Sequence, residues 1–474
     1  MTDINLGVGG ANSAVAGGYD IDNSVKTEAD NSEWMQRATG GGNDSNVKQH
    51  SISAWVKRTE LGGTQMILSM ANIGRVRFNS SNKIEYQFRA GRNFTTTRVF
   101  RDTSAWYHIF VVADTTLATA SDRMKLYING VRETVFDSYT APDLNHNSPA
   151  WGVYNTYNLN FAGKSDDFYN GYIAETFFIG EQSLLPTDFG EFDDDSGIWK
   201  PKEYTGTFGS NDTYLDFKDS SNLGNNAAGG ADLSLNNITA ADQATDTPTN
   251  NFCTMNTLDR TNGNIKNQEG ATKVTTDGGS GWCSMVATMG VTKGKWYWEA
   301  QRMSTGTPND VITGIVGSED AYVPYSSAAN YYIGNVATSS SIGYYQKNYP
   351  SQEGSVVNGV SMNFYSQGGD TIMFGLDMDN EKMYFGLNGT WKGTGDSIGG
   401  NTAGASTLHA DFDGEFVLPA VSVFQGNNMT INFGGYAAYT ISSAASDADG
   451  YGTFEYAPPS GYYSLCSKNL AEYG

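Results

Sequence analysis

Apolar and polar residues alternate in short runs along most of this chain, and turn residues separate the runs. Ile52-Ser53-Ala54-Trp55-Val56, Val76-Arg77-Phe78 and Ile84-Glu85-Tyr86-Gln87-Phe88 place apolar side chains two apart. On an extended backbone that spacing gives one packed and one wetted face. The run Trp106-Tyr107-His108-Ile109-Phe110-Val111-Val112 is apolar almost throughout and predicts a central strand covered on both faces. Tyr127-Ile128-Asn129-Gly130 and Phe385-Gly386-Leu387-Asn388-Gly389 predict two hairpins, because a type I′ turn needs positive φ at both central residues and Asn-Gly adopts it cheaply. Gly171 to Ile179 predicts a late strand. Many short strands between turn signals indicate a β-sandwich.

A second set begins at Gly294-Lys295-Trp296-Tyr297-Trp298-Glu299 and continues through Thr313 to Gly317, Thr371 to Asp377 and Phe416 to Val421. Trp296 and Trp298 alternate with polar or smaller residues in a strand and are expected in its core. Residues 218–255 are dominated by Asn, Ala, Gly, Ser, Asp and Thr and are expected to be a linker. Residues 1–44 begin with a Gly-, Ala- and Asn-rich stretch and are expected to form an extended arm that docks on a partner. The domains expected are therefore 45–217 and 256–474.

The motifs Ser53-Ala54-Trp55-Val56-Lys57-Arg58, Ala105-Trp106-Tyr107-His108, Lys125-Leu126-Tyr127-Ile128-Asn129-Gly130 and Asn170-Gly171-Tyr172-Ile173-Ala174-Glu175 resemble, in that order, the laminin-G-like, concanavalin A-like sandwich. The order of the later strand motifs is similar to the SPRY domain, another concanavalin-like sandwich. Phe189-Gly190-Glu191-Phe192 through Tyr204-Thr205-Gly206, and the end Phe454 to Cys466, resemble segments of marine bacteriophage proteins. The fold class expected is all-β, with two concanavalin A-like antiparallel jelly rolls. The resemblance implies a protein of the virion surface, assembled in the host cytoplasm.

Composition narrows the partners. Basic residues number 29 and acidic residues 51, for a net charge of −22, which repels phosphate backbones and anionic headgroups. Nucleic acid is not expected as a partner, nor is membrane insertion, since no run approaches the length of a membrane span. Cys253, Cys283 and Cys466 lack the spacing of a zinc or redox pair. His50, His108, His146 and His409 are scattered, and His108 reads as a packed strand residue. No cofactor is expected, although abundant Asp and Asn leave calcium open.

Glu191, Asp193 and Asp195 stand two apart, as the carboxylates of a retaining glycosidase would on a strand. They fall in a Gly-, Asp- and Ser-rich turn, where a solvated acidic loop is the better reading, and the chain is expected not to be an enzyme. Sugar rings stack on aromatic faces while amides and carboxylates bind their hydroxyls. Two polar aromatic-bearing loops therefore offer glycan-binding candidates: Trp151, Tyr154 and Tyr157 in the first, and Tyr325, Tyr331, Tyr332, Tyr344 and Tyr345, with Tyr322 and Tyr349 beside them, in the second. Ordinary packing is the alternative for each. The function expected is a fibre, spike or capsid-decoration protein that binds host-surface glycans or proteins and docks on other virion proteins through its arm, as a homo-oligomer such as the trimer that would suit a fibre. The alternatives are a purely structural capsid or tail protein and a polysaccharide-degrading enzyme.

Overall fold

Alternation of buried and half-buried residues along 74–78 and 84–89, and unbroken burial along 106–114, divide the strands into surface and central classes as their sequences predict. The computed structural model describes residues 18–37, 47–70, 73–147, 151, 158–163, 167–260, 265–276, 281–301, 311–318, 332–333, 341–346, 355–357, 368–391, 406–407, 416–424 and 426–474. The chain divides into two compact units, with the boundary between Asn250 and Asn251.

The first unit contains β1 (Ser24–Thr27), β2 (Trp34–Arg37), β3 (Gln49–Arg58), β4 (Gln65–Met70), β5 (Gly74–Phe78) and β6 (Ile84–Arg89). It continues with β7 (Arg92–Thr96), β8 (Trp106–Asp114), β9 (Met124–Ile128), β10 (Val131–Arg132), β11 (Phe136–Tyr139) and β12 (Leu159–Phe161). Then come β13 (Gly171–Gly180), β14 (Gly190–Phe192), β15 (Trp199–Pro201), β16 (Thr213–Leu215), β17 (Ser234–Asn236) and β18 (Gln243–Ala244). A front sheet runs β10-β9-β8-β3-β13-β1-β18, with β16 also on β13, and a back sheet runs β11-β7-β6-β5-β4-β12-β2-β17. Ile52, Val56, Ile109 and Phe178 of the front sheet and Val76, Phe78, Tyr86 and Phe94 of the back sheet meet in one core.

The second unit contains β19 (Met255–Arg260), β20 (Ile265–Gln268), β21 (Lys273–Thr276), β22 (Trp282–Ala287) and β23 (Lys295–Gln301). It continues with β24 (Val311–Gly317), β25 (Ser341–Gln346), β26 (Ser355–Val357), β27 (Thr371–Asp377) and β28 (Lys382–Leu387). Its last elements are β29 (Thr390–Trp391), β30 (Ser406–Thr407), β31 (Val417–Phe424), β32 (Asn428–Asn432), β33 (Tyr463–Ser464) and the helix α1 (Ser467–Tyr473). A six-stranded sheet, β19-β22-β31-β24-β25-β26, and a nine-stranded sheet, β20-β21-β32-β23-β27-β28-β29 with β30 and β33 attached, share a core that includes the fully buried Trp296 and Trp298. Among the described residues, all pairings are antiparallel except that of β33 with β23. The chain is an all-β protein of several antiparallel sheets. Both Asn-Gly hairpins have the predicted backbone, with φ of 49° and 75° at Asn129 and Gly130 and 48° and 80° at Asn388 and Gly389.

Two expected boundaries are corrected. Residues 24–37 supply β1 and β2 to the two sheets of the first unit, so the described part of the expected arm is sandwich. The expected linker 218–255 supplies β17 to the back sheet and β18 to the front sheet, and Leu223, Leu233 and Ile238 lie in the core. Its polar side chains serve the fold: Asp246 binds buried Lys57 at 2.7 Å and Asp242 binds buried Lys26 at 2.8 Å.

Candidate binding faces

The outer face of the front sheet is covered by the chain's own residues. His108 lies between two indoles, with ring centroids 4.8 Å from Trp55 and 5.8 Å from Trp199. It bonds to Ser53 Oγ at 2.8 Å and accepts from Trp199 Nε1 at 3.1 Å, so the packed and satisfied strand histidine is found. Phe110, Phe177 and Phe189 form a second apolar layer with Tyr204, Phe208 and Tyr214 on this face. Near its edge, Trp106 Nε1 donates to Asp246 at 3.0 Å. Burial pushes both His50 and His108 down to about 3, so they are neutral packing groups at physiological pH.

The same face holds an unusual carboxylate. Glu175 sits in a bulge of β13, where Ala174 pairs with Trp55 and Phe177 with Ser53, and has a φ of 42°. It is 4% exposed and accepts hydrogen bonds from Tyr214 Oη at 2.8 Å and Tyr19 Oη at 3.1 Å. Burial raises its pKa from 4.5 to about 7, against the lowering effect of both hydroxyls and of the Lys218 charge. The folded state therefore holds this proton more tightly than the unfolded state. Stability is full below about pH 4.5 and falls as pH rises toward 7, by on the order of 3 kcal/mol. Glu175→Gln is expected to flatten that part of the profile in urea melts taken from pH 4.5 to 8; an unchanged slope would mean that the carboxylate is ionised at no cost.

The back sheet presents a different face. Register aligns Ser234, Gln36, Asn160, Ser69, Arg75, Gln87 and Asn93 in one row across β17, β2, β12, β4, β5, β6 and β7. All of these side chains can hydrogen-bond. Asn160 and Ser69 are buried and bond one another, with Asn160 Nδ2 to Ser69 Oγ at 3.3 Å, while Arg75, Gln87 and Asn93 are half-buried. Trp34, two residues before Gln36 and therefore on the same face, is also half-buried.

Arg75 is the key group of this row. Burial, and then the Arg77 charge, pull its guanidinium below the ordinary value, and its Nε is a buried atom with no hydrogen-bond partner among the described residues. Arg77 is committed to Glu85 at 2.8 Å and Asp167 at 3.1 Å. Around them the sequence holds Arg75, Arg77, Lys83, Arg89, Arg92, Arg98 and Arg101 against the single acid Glu85 between 75 and 101. A half-buried guanidinium among half-buried amides is suited to hydroxyls and carboxylates, and a nearby indole to an apolar sugar face.

In the second unit, Trp282, Tyr332 and Phe424 form a half-buried aromatic cluster, with Trp282 centroids 4.8 Å from Tyr332 and 5.4 Å from Phe424. Ile333 N donates to Ser422 Oγ at 3.1 Å and fixes the adjacent Tyr332 against this sheet. The nine-stranded sheet is covered instead by the C-terminal segment. There Glu299, fully buried, accepts from Tyr297 Oη at 2.8 Å, Tyr439 Oη at 3.0 Å, Glu455 N at 2.9 Å and Tyr456 N at 2.8 Å. Asp447 accepts from Ser464 N at 2.9 Å and Asn469 Nδ2 at 2.8 Å, so β33 and α1 share one buried anchor.

The expected aromatic sites do not assemble as groups. Trp151 is fully buried and stacks on His50 at 4.8 Å and on Tyr86 and Phe178 at 5.9 Å each, which corrects its assignment to an exposed sugar platform. Tyr344 is 1% exposed in the core beside Phe385, and is corrected likewise. Among the described candidates, Tyr332 alone sits half-buried in an aromatic surface cluster. Tyr154, Tyr157, Tyr322, Tyr325, Tyr331, Tyr349 and His409 lie outside the described residues, and the side chain of Tyr345 likewise.

The acidic trio is divided by its turn. Asp193 Oδ1 accepts from Ser196 N at 2.9 Å and Asp195 N at 3.2 Å, and its Oδ2 from Lys200 at 3.2 Å. These bonds, led by that of the Ser196 backbone, push Asp193 down to about 2. Glu191 is exposed and pairs with Lys200 at 3.5 Å. Among the described residues, no group of three or more His, Cys, Asp and Glu side chains is placed to hold a metal ion.

No curated protein matches the chain by sequence. Among solved structures, the SPRY domain of human HERC1 is 18% identical, with 37% of this chain and 96% of that chain covered at a TM-score of 0.26. A protein from Bacteroides ovatus, assigned provisionally to carbohydrate binding, is 11% identical, with 46% and 59% covered at a TM-score of 0.29. Residues 31–176, which include the arginine row from Gln36 to Asn160, match the laminin G model described as the concanavalin A-like lectin/glucanases superfamily.

Proposed function

We propose that the chain is a non-enzymatic surface protein of a bacteriophage particle, a fibre, spike or decoration component whose first sandwich binds host-surface glycans through the outer face of the back sheet. The observation that carries the binding reading is the register row itself: the half-buried Arg75 stands in line with the half-buried amides of Gln36, Gln87 and Asn93, inside the segment that matches the lectin/glucanase family. The half-buried cluster of Trp282, Tyr332 and Phe424 supports a second contact surface. The virion assignment rests on the resemblance of the segments Phe189 to Gly206 and Phe454 to Cys466 to marine bacteriophage proteins. Residues 1–17 would dock on other virion proteins, and a homo-oligomer such as a trimer would multiply weak glycan contacts.

Screening the full chain against a glycan array tests the reading. Arg75→Ala is expected to weaken binding about tenfold, or about 1.4 kcal/mol, without altering the far-ultraviolet circular dichroism. An unchanged affinity in that variant moves the site away from the back sheet, and an array with no bound glycan rejects glycan recognition.

A further inference from the structure

Three buried side chains that the proposed binding leaves unused meet in the first unit. Lys26 of β1 is 1% exposed, Glu33 just before β2 is 3% exposed and Asp242 just before β18 is 6% exposed. Lys26 Nζ lies 3.1 Å from both Glu33 oxygens and 2.8 Å from Asp242 Oδ1. Asp242 Oδ2 points elsewhere, accepting from Thr239 N at 2.8 Å and Thr239 Oγ1 at 3.1 Å. A nucleophilic amine, a carboxyl carbon and a second carboxyl group thus share one site out of water.

We propose that Lys26 and Asp242 condense after folding into an intramolecular isopeptide bond, with Glu33 as the proton carrier. In a low-dielectric site, proton transfer from the ammonium to a carboxylate removes two opposed charges and leaves a neutral amine. Burial raises the Glu33 pKa, which favours the protonated form that the step requires. Lys26 Nζ attacks Cγ of Asp242, and the developing negative charge falls on Oδ2, where Thr239 N and Oγ1 donate hydrogen bonds as an oxyanion hole does. Glu33 carries two protons in turn from Nζ to Oδ1, beside which it sits through Nζ, the first before attack and the second as the tetrahedral adduct collapses. The Nζ–Cγ bond forms, the Cγ–Oδ1 bond breaks, and Oδ1 leaves as water. No oxidant, metal or cofactor enters the balance. The Thr239 bonds to Oδ2 would remain as bonds to the new amide carbonyl.

The second buried pair provides an internal contrast. Lys57 lies 2.7 Å from Asp246 Oδ2, but Asp246 Oδ1 accepts from the Trp106 indole, which cannot relay a proton to a leaving oxygen. It is expected to remain an ion pair.

Peptide mapping of the purified full chain by tandem mass spectrometry, with intact-mass measurement, decides the matter. The expected result is an intact mass one water below that of the sequence and a branched peptide joining the segments around Lys26 and Asp242. Glu33→Gln retains both reacting groups and is expected to show the full mass with separate peptides. Lys26 and Asp242 recovered in separate linear peptides from the folded wild-type chain would overturn the proposal. So would a water loss that maps to another position, or a bond that persists undiminished in Glu33→Gln.

Discussion

A fragment ending at Phe217 is expected to remain unfolded, whereas one ending at Asn250 is expected to unfold cooperatively in urea. The first ends where the sequence analysis places the sandwich boundary, and the second where the first compact unit ends. Removing residues 218–250 takes β17 from the back sheet and β18 from the edge of β1. It also takes Leu223, Leu233 and Ile238 from the core, each worth roughly 1.5–3 kcal/mol of burial. Lys26 and Lys57, at 1% and 0% exposure, would lose Asp242 and Asp246. Together these losses reach the whole stability of an ordinary domain, about 5–15 kcal/mol. Far-ultraviolet circular dichroism with a urea titration separates the outcomes. A shorter fragment with the same midpoint as the longer one would show that residues 218–250 are dispensable.

Asp246→Ala in the full chain is expected to destabilise the first unit by about 3–5 kcal/mol, because Lys57 would remain buried without its 2.7 Å carboxylate. The loss is larger than for a surface pair, which is worth about 0–1 kcal/mol. Trp106 Nε1 and Lys57 Nζ both bond this one side chain, so its removal takes a carboxylate acceptor from two buried donors at once. Replacing both members, as Lys57→Met with Asp246→Ala, is expected to recover part of the loss by removing the stranded charge. A shift in the urea midpoint equivalent to less than about 1 kcal/mol in the single variant would mean that the ammonium reaches water.

The elements most legible in the sequence are those whose determinants are local. Alternation over five residues predicts β5 and β6, unbroken apolarity predicts β8, and Asn-Gly predicts both hairpin turns. What was not legible depends on partners far away in the chain. β17 and β18 are three and two residues long, too short to show a period, and the Asp side chains that flank β18 look like linker polarity until Lys26 and Lys57 are brought beside them. Trp151 stands in a polar stretch, yet its ring fits the core because Gly74 leaves room; a Cβ there would lie 2.6 Å from the indole. Of the candidate faces, the aromatic reading found Tyr332 but neither Trp282 nor Phe424. Arg75 was missed although its signal was present, in a basic stretch from 75 to 101 within a chain of net charge −22. Only strand register sets Arg75 in line with Gln36, Asn160, Gln87 and Asn93.

Each unit also brings its two ends together. Ile21 exchanges hydrogen bonds with Thr249, from its N at 3.0 Å and to its O at 2.8 Å, while Cys253 N donates to Leu465 O at 2.9 Å and Ser467 N to Asn251 O at 2.8 Å. A module whose entry and exit are adjacent can be spliced into a surface loop of another protein without stretching its host, or reopened at a hairpin after its old ends are joined. The same closure delays completion during synthesis: β1 waits for β13 and β18, and β23 waits for β33, so each sandwich leaves the ribosome with unpaired strand edges until its final residues emerge.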